Sequence, residues 1–354
     1  MAYTLFFTFF FLGIFFQRSK LVTFSMSVFL ILLGAFNTIN PDFINYRNFY
    51  ILSGLGSYTG AIREPGFSLL SRLVWFFGLD YTGFLVIVFL ICISFTVLGT
   101  AYYTDRINLV LSFCMFYPLL INFVQFRFFL GNVIVFFALR FITKEKLEPI
   151  KFIICIIIAT SFHTISVIYL TLLFLLIKDS FKRNFLLVTA LFVFGILYST
   201  SLISNFVNSG DKLAYYISGN AISLTRVIRT GLFAISNFVM LGILRTSYRF
   251  KEDSKYVYSI EAAAILSFVF YFLVLINNEF ERVLRLGYIF LFILVVNYLW
   301  DRRNRLDYRL FLLVISSVSF VTYIYTQYYF RYAGVQLFID GIFHTILSNN
   351  SLFE

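Results

Sequence analysis

The sequence of 354 residues has few charged residues, few cysteines and few prolines for its length. Only 13% of its residues are Asp, Glu, Lys or Arg, and it contains 3 cysteines and 4 prolines. Soluble globular domains carry about 25% charged residues, so this composition excludes a soluble fold, and no segment has the composition of a separate aqueous domain. The sequence predicts an all-α integral membrane protein with a single polytopic domain over residues 1–354.

The sequence also lacks the patterns that are typical of metal, disulfide and nucleotide sites. Cys92, Cys114 and Cys155 all lie in apolar stretches, where neither an external disulfide nor a metal site is expected. The chain has 2 histidines and no HExxH, no Cys/His metal pattern and no Walker loop. We therefore expect no metal and no cofactor. The net charge of +11 follows from membrane topology, so nucleic acid is not an expected partner.

The sequence consists largely of long apolar runs, and 60% of its residues are hydrophobic. Many runs approach or exceed the roughly 20 residues that span a bilayer. Alternate loops then place 18 of the 28 basic residues on the cytoplasmic side, as the positive-inside rule requires. The predicted architecture has about 12 transmembrane helices, both chain ends outside, and external loops at approximately 39–80 and 203–227. The predicted spans are 3–16, 21–38, 81–103, 107–124, 127–143, 152–162, 165–177, 185–202, 228–244, 258–276, 286–300 and 310–328.

Two of these regions carry more detailed predictions. The run 152–177 has basic residues at both ends, although its length suits only one ordinary span. We predict two short helices that meet near Ser161, Phe162 and His163, which requires the break to be buried in protein or to line a cavity. In the first external loop, the turn signal Asn40-Pro41-Asp42 is followed, over residues 67–79, by a helix at the membrane interface.

The basic residues left on the external side are nine arginines and one lysine. A guanidinium group binds phosphate through two parallel hydrogen bonds, which lysine cannot form. Five of these arginines precede predicted spans that run from outside to inside, where helix N-termini also favour anions. These five are Arg127, the pair Arg226 and Arg229, and the pair Arg282 and Arg285, with a spacing of three that puts each pair on one helix face.

This arrangement predicts an external site for a phosphorylated ligand, with Arg127 as its most deeply buried member. The alternative is that the arginines contact phosphates of lipid head groups, or pair with Glu279 and Glu281.

Two acids in the first external loop, Asp42 and Glu64, are candidate general bases toward a sugar hydroxyl. Alternatively, Asp42 caps the following segment and Glu64 pairs with Arg63 or Arg47. For His163 two interpretations also stay open, proton transfer or a hydrogen bond to backbone groups freed by the helix break.

Five segments resemble the EpsG-like family of bacterial polysaccharide polymerases, which is grouped with Wzy-type O-antigen polymerases. They are Asn40-Pro41-Asp42 with Tyr46, Glu64-Pro65-Gly66-Phe67, Gln125-Phe126-Arg127, Ser161-Phe162-His163, and Arg282 to Tyr288. The resemblance covers about residues 39–290. The family's second motif reads Gln-x-Arg-Gln, whereas Phe128 follows Arg127 here.

The resemblance implies a glycosyltransferase of lipopolysaccharide and polysaccharide biosynthesis that acts at the periplasmic face of the bacterial inner membrane. It implies a donor glycan on undecaprenyl pyrophosphate, a second lipid-linked unit as acceptor, and a chain-length regulator protein and membrane lipids as further partners. It also implies an architecture similar to the C-class membrane glycosyltransferases, in which an acid of the first external loop is the base.

The expected residues fall into two groups. The candidate catalytic residues are Asp42, Glu64 and His163. The candidate residues for binding pyrophosphate or glycan are Arg127, Arg282, Arg285, Arg226, Arg229, Arg63, Gln125 and Tyr46. Two other functions remain open. A flippase for lipid-linked oligosaccharide would place cationic residues along a central cavity, and an O-antigen ligase would share the donor and the location.

Overall fold

The computed structural model describes residues 1–57, 64–143, 147–177, 179–199, 224–246, 254–276, 280–300 and 343–353, with positions 307, 309, 311 and 314. In these residues the secondary structure is helical, apart from an isolated antiparallel bridge between Asn37 and Asn350. The α-helices are α1 (Ala2–Phe15), α2 (Lys20–Ala35), α3 (Phe43–Gly54), α4 (Pro65–Phe76), α5 (Tyr81–Tyr103), α6 (Ile107–Cys114), α7 (Leu120–Val124), α8 (Phe126–Ala138), α9 (Pro149–Phe162), α10 (Ser180–Ser199), α11 (Leu224–Thr246), α12 (Ser254–Ile276), α13 (Glu281–Trp300) and α14 (Thr345–Ser348).

Three described helical segments have the length and composition to cross a membrane: Tyr81–Tyr103, Ile107–Val124 and Arg282–Trp300. Shorter apolar helices accompany them at Ala2–Phe15, Lys20–Ala35, Pro149–Phe162, Thr164–Leu176 and Ile260–Val274. The all-helical, apolar architecture is therefore confirmed. The count of 12 spans and the C-class architecture stay predictions, since nearly all of span 310–328 and most of loop 203–227 lie outside the described residues.

Two helices, α3 and α4, lie within the segment 39–80 that was predicted to be the first external loop. The helix predicted over residues 67–79 is confirmed as α4, which begins two residues earlier because Pro65 suits the first position of a helix. Its location at the membrane interface stays a prediction. Helix α3 was not predicted. Each helix is followed by a glycine in the left-handed conformation, Gly56 with φ of 75° and Gly78 with φ of 72°, which ends the helix and turns the chain.

The predicted break in the run 152–177 is confirmed. Helix α9 ends at Phe162, His163 is extended with φ of −153° and ψ of 119°, and a 3₁₀ helix follows over Thr164–Leu176. A 3₁₀ helix rises about 2.0 Å per residue, so its 13 residues extend over roughly 26 Å, nearly the thickness of a bilayer's hydrocarbon core. An α-helix of the same 13 residues would be only about 20 Å long.

Ring contacts define the direction in which neighbouring helices run. Phe84 on α5 and Phe126 on α8 lie 6.1 Å apart near the helix starts, while Phe136 lies 5.2 Å from Phe290 on α13 farther along. At the end of α5, Tyr103 lies 6.1 Å from Phe136, and near the start of α13, Arg285 lies 5.5 Å from the ring of Phe128. With two contacts for each pair, helices α5, α8 and α13 run in the same direction. We call the end at which they begin the site end, and the end at which they finish the opposite end.

Candidate active site

Arg127 and Glu64 form an ion pair at the site end. Arg127 is the second residue of α8, and its Nη1 donates to Oε2 of Glu64, the residue before α4. The two side chains are only 17% and 12% exposed. Glu64 therefore pairs with Arg127 across 63 positions of sequence. Arg63, one of the two partners weighed for Glu64 from the sequence, lies outside the described residues.

Three aromatic rings surround the Arg127 guanidinium. Its Cζ lies 4.9 Å from the ring centre of Tyr46, 5.1 Å from that of Phe49 and 5.3 Å from that of Phe67. These cation–π contacts stabilise the charge in a largely dry environment. Burial raises the pKa of Tyr46 above its ordinary value of 10.0, against the opposing positive charge of Arg127, so its hydroxyl stays protonated. Tyr46 is 7% exposed and its ring also packs 4.4 Å from Phe126.

Arg285 is the most deeply buried arginine of the site, with 1% of its surface exposed. The expectation that Arg127 lies deepest is wrong, because Arg285 sits a full turn inside α13 whereas Arg127 sits at the start of α8. Arg285 Nη1 donates to Oδ1 of Asn122 at 3.1 Å, and its Cζ lies 5.5 Å from the Phe128 ring.

The charge of Arg285 has no acidic counterpart in the part of the chain that the structure describes. The ion pairs formed there involve other arginines and lysines, and Nε of Arg285 has no hydrogen-bond partner among the described residues. The same is true of Nδ2 of Asn122. A buried cation with unsatisfied donors is costly, and an anionic ligand would relieve that cost. Glu279 and the side chain of Glu281, the acids weighed as partners, lie outside the described residues.

His163 lies where the influence of three arginines overlaps. Burial lowers the pKa of His163 from 6.5 to about 3, and the positive charges of Arg282, Arg127 and Arg285 add to this effect. The Phe128 ring lies 5.5 Å from the imidazole, edge to face. Three of the five predicted anion-site arginines therefore carry charges that act on one histidine.

The other predicted arginine pair cannot be placed in the same way. Arg226 and Arg229 lie in the first two turns of α11, and their side chains are outside the described part of the chain.

The motifs around Glu64 and His163 pack directly against each other. A Cβ added at Gly66 would lie 2.2 Å from Oγ of Ser161 and 3.1 Å from its carbonyl carbon. Only glycine allows α4 and the end of α9 to approach this closely. The close approach brings two segments almost a hundred residues apart to the same end, which holds Glu64 near His163.

Replacing Gly66 with alanine is expected to lower the free energy of unfolding by about 1–3 kcal/mol, because the added methyl group forces α4 and α9 apart. Thermal unfolding of the purified protein in detergent measures this loss. Gly242→Ala is the matched control, since a Cβ there meets nothing within 4 Å. The added change Ser161→Gly should restore part of the loss, and equal melting of both alanine variants would contradict the close-contact explanation.

Asp42 is held in place by a relay of asparagine side chains. Asn37 Nδ2 donates to the carbonyl oxygens of Thr345 and Asn349, both at 3.2 Å. Asn40 Nδ2 donates to Oδ1 of Asn37 at 2.9 Å, and the Asp42 amide donates to Oδ1 of Asn40 at 3.1 Å. Segment 343–353 thereby supports the turn that presents Asp42.

The Asp42 carboxylate does not cap α3, which was the alternative role predicted for it from the sequence. Asp42 precedes α3, but its side chain makes no capping hydrogen bond to that helix. Its negative charge instead influences Tyr46, the residue that also contacts Arg127. Gln125 occupies the break between α7 and α8, directly before the segment that carries Arg127.

Neutral residues that the sequence analysis missed complete the site. Asn122 binds Arg285, and Phe128 lies between Arg285 and His163, in the position where the family motif has a second glutamine. About one turn beyond Phe128 on α8, Oδ1 of Asn132 accepts a hydrogen bond from the Tyr169 hydroxyl at 2.6 Å. The available signal was an asparagine inside an otherwise apolar run, which is costly to bury without a role.

The described residues contain no group of three or more His, Cys, Asp and Glu side chains arranged to hold a metal ion. The candidate site contains guanidinium groups, two carboxylates and a neutral imidazole, all at the site end of the helices.

Comparison with known proteins adds one finding. The family model described as "EpsG family" matches residues 20–336, which is most of the chain. No curated protein and no solved structure matches. The matched region contains all five segments on which the resemblance rests and every candidate site residue, so the chain belongs to the EpsG family.

Proposed function

We propose that this protein is a membrane glycosyltransferase that polymerises glycan repeat units carried on undecaprenyl pyrophosphate, at the periplasmic face of the bacterial inner membrane. Membership of the EpsG family supports a membrane polysaccharide polymerase in general. The observation that carries the specific proposal is the buried Arg285, which has no carboxylate partner among the described residues and lies against the same Phe128 ring as His163, each at 5.5 Å. The positive charges of Arg127 and Arg282 also act on His163.

In this mechanism the arginines bind the pyrophosphate of the donor. As the glycosidic bond to the lipid carrier breaks, negative charge develops on the departing pyrophosphate. Guanidinium groups fixed in a dry site stabilise this charge without reorganising at the moment of reaction. Arg285, whose position is set by Asn122 and Phe128, is the natural centre of this stabilisation. Arg226 and Arg229 remain candidates for the same ligand.

Asp42 is the better candidate for the general base. A carboxylate in a close ion pair binds a proton less readily, and Glu64 is held by Arg127. We therefore assign Glu64 to positioning Arg127. Asp42, whose charge acts on the same Tyr46 that contacts Arg127, is assigned to accepting the proton of the acceptor hydroxyl. The relay from segment 343–353 holds the Asp42 backbone steady for this role.

Replacing Asp42 with asparagine is expected to lower turnover by roughly 10²–10⁴-fold while leaving donor affinity unchanged, because only proton acceptance is lost. Rates of polymer formation and binding of a radiolabelled lipid-linked unit measure the two quantities separately. Asn45→Ala, on an exposed position of α3, is the control and should change neither. Weakened donor binding in the Asp42 variant would point to a structural role.

His163 is expected to stay neutral during turnover. Its pKa is lowered to about 3, so the imidazolium forms only as the pH falls toward that value. Its Nδ1 accepts from the Ile165 amide at 3.4 Å, a capping role that asparagine can also fill. We expect His163→Asn to retain most activity, and the pH–rate profile to lack an inflection near 6.5. An inactive but folded variant, together with such an inflection, would establish proton transfer.

Reconstitution tests the proposed reaction. The purified protein in liposomes is supplied with undecaprenyl-pyrophosphate-linked repeat units and no nucleotide sugar. A polymerase yields a ladder of longer glycans and releases undecaprenyl pyrophosphate in proportion. Movement of the lipid between leaflets without longer glycans would identify a flippase. In a parallel reaction that also contains lipid A core, transfer of glycan to that acceptor without a ladder would identify a ligase.

A further inference from the structure

A cavity of about 640 Å³ lies at the opposite end of the helices from Arg127. It is lined by residues 15–19, which connect α1 to α2, by Arg106 before α6, and by Trp300 at the end of α13. Its volume is within the range of about 300–1,000 Å³ that is typical of ligand sites. None of these residues belongs to the candidate active site.

The cavity has an excess of positive charge. Arg18 Nη2 lies 2.8 Å from Oδ2 of Asp105, and Arg106 Nη1 lies 3.4 Å from Oδ1 of the same carboxylate. Two positive charges against one negative charge leave one positive charge, and Lys20 is exposed beside them. The side chains of Arg18 and Asp105 are 60% and 58% exposed, and exposed ion pairs contribute little to stability. A phosphate can therefore join or displace the carboxylate at little cost.

The wall of the cavity is rigid before any ligand arrives. Asn108, which is fully buried, donates from Nδ2 to the carbonyl oxygens of Phe16 at 2.6 Å and Ser19 at 2.9 Å. Its backbone amide also donates to the carbonyl oxygen of Gln17 at 3.2 Å. These bonds hold the turn that carries Arg18 against α6, which carries Arg106 at its start. A preorganised site loses less conformational entropy on binding.

Exposed hydrocarbon surrounds the charged part. Phe15 is 75% exposed, Phe16 54%, Leu21 75% and Phe24 69%, and Trp300 is 36% exposed at the end of its helix. Tryptophan at this position is typical of the membrane interface. A ligand that satisfies both parts presents a phosphate to the two arginines and hydrocarbon chains to the rings.

We propose that this cavity binds the phosphate head group of an anionic phospholipid from the surrounding bilayer. Basic pockets between transmembrane helices on the cytoplasmic side bind such head groups, and this end is the one predicted to face the cytoplasm. The proposal is independent of the proposed function. A soluble phosphate ion shares the charge but has no chains to cover the exposed rings.

Tryptophan fluorescence tests the proposal in the full-length protein. The sequence has 2 tryptophans, so Trp75→Phe leaves Trp300 as the only reporter, at the cavity itself. The variant is placed in phosphatidylcholine nanodiscs that contain either brominated phosphatidylglycerol or brominated phosphatidylcholine at equal mole fraction. Stronger quenching by the brominated anionic lipid is expected. Equal quenching by both lipids would overturn the proposal.

Charge substitutions test whether Arg18 and Arg106 cause the preference for the anionic lipid. Each basic side chain near a membrane surface favours anionic lipid by roughly fivefold, so Arg18→Gln with Arg106→Gln should raise the half-quenching mole fraction of phosphatidylglycerol about 25-fold. Lys151→Gln is the matched control, because Lys151 lies at the same end, is also 60% exposed and also pairs with a carboxylate. Size-exclusion profiles confirm that both variants stay folded. Unchanged selectivity in the double variant would overturn the proposal.

Competition separates the two possible sources of phosphate. Inorganic phosphate at constant ionic strength should leave quenching by brominated phosphatidylglycerol unchanged, because it cannot replace the contacts of the acyl chains. Displacement of the lipid by millimolar inorganic phosphate would instead identify a site for a small soluble anion.

Discussion

Arg285→Ala is expected to abolish long-chain polysaccharide while the protein remains inserted in the membrane and single capped repeat units persist. Arg285 is buried, its only described hydrogen-bond partner is neutral, and its charge lies one turn inside a helix. In the proposed mechanism this charge stabilises the leaving pyrophosphate in the transition state. Removing one such donor typically costs roughly 10²–10³-fold in turnover.

A second variant separates lost chemistry from lost folding. Arg285→Lys keeps the charge but not the planar fork, so it should bind pyrophosphate through a single contact and retain partial activity. Arg47→Ala, at an exposed position on α3, is the control and should give normal chain lengths. The measurements are the glycan ladder and the release of undecaprenyl pyrophosphate. Normal ladders in both Arg285 variants would remove the anion site from the mechanism.

Breaking the Glu64–Arg127 pair is expected to have the second large effect. Arg127→Ala and Glu64→Ala each remove one member of this ion pair, in a site where both side chains are less than one-fifth exposed. Each single change should cost on the order of 3 kcal/mol of stability. Long-chain polymer should be lost in both variants, because Arg127 is then absent or misplaced.

Exchanging the two charges distinguishes a structural pair from a functional one. Glu64→Arg combined with Arg127→Glu restores an ion pair and should recover part of the stability. It should not recover activity, because a carboxylate then occupies the cation-binding face made by Tyr46, Phe49 and Phe67. The same exchange in the exposed pair Glu148 and Lys151 is the control and should change neither quantity. An active charge-exchanged enzyme would show that the pair only supports the fold.

Local sequence signals were sufficient for several elements. The span predicted at 81–103 is α5 without change, because an apolar run of that length has a single helical interpretation. The break near His163 was predicted because basic residues flank both ends of the run 152–177. Helix α3 was missed because Asn45, Arg47 and Asn48 interrupt its apolar residues and the segment reads as a polar loop.

Sequence alone therefore determined that this is an all-helical membrane chain of the EpsG family, with most of the candidate residues placed at helix starts and breaks. Those properties depend on hydropathy, charge and short motifs, which are local. Only the tertiary structure decided that Glu64 pairs with Arg127, that Gly66 packs on Ser161, and that Arg285 lies deepest against Asn122. Such pairings depend on which helices pack together and at what depth, and the periodicity of a single helix carries no information about its neighbours.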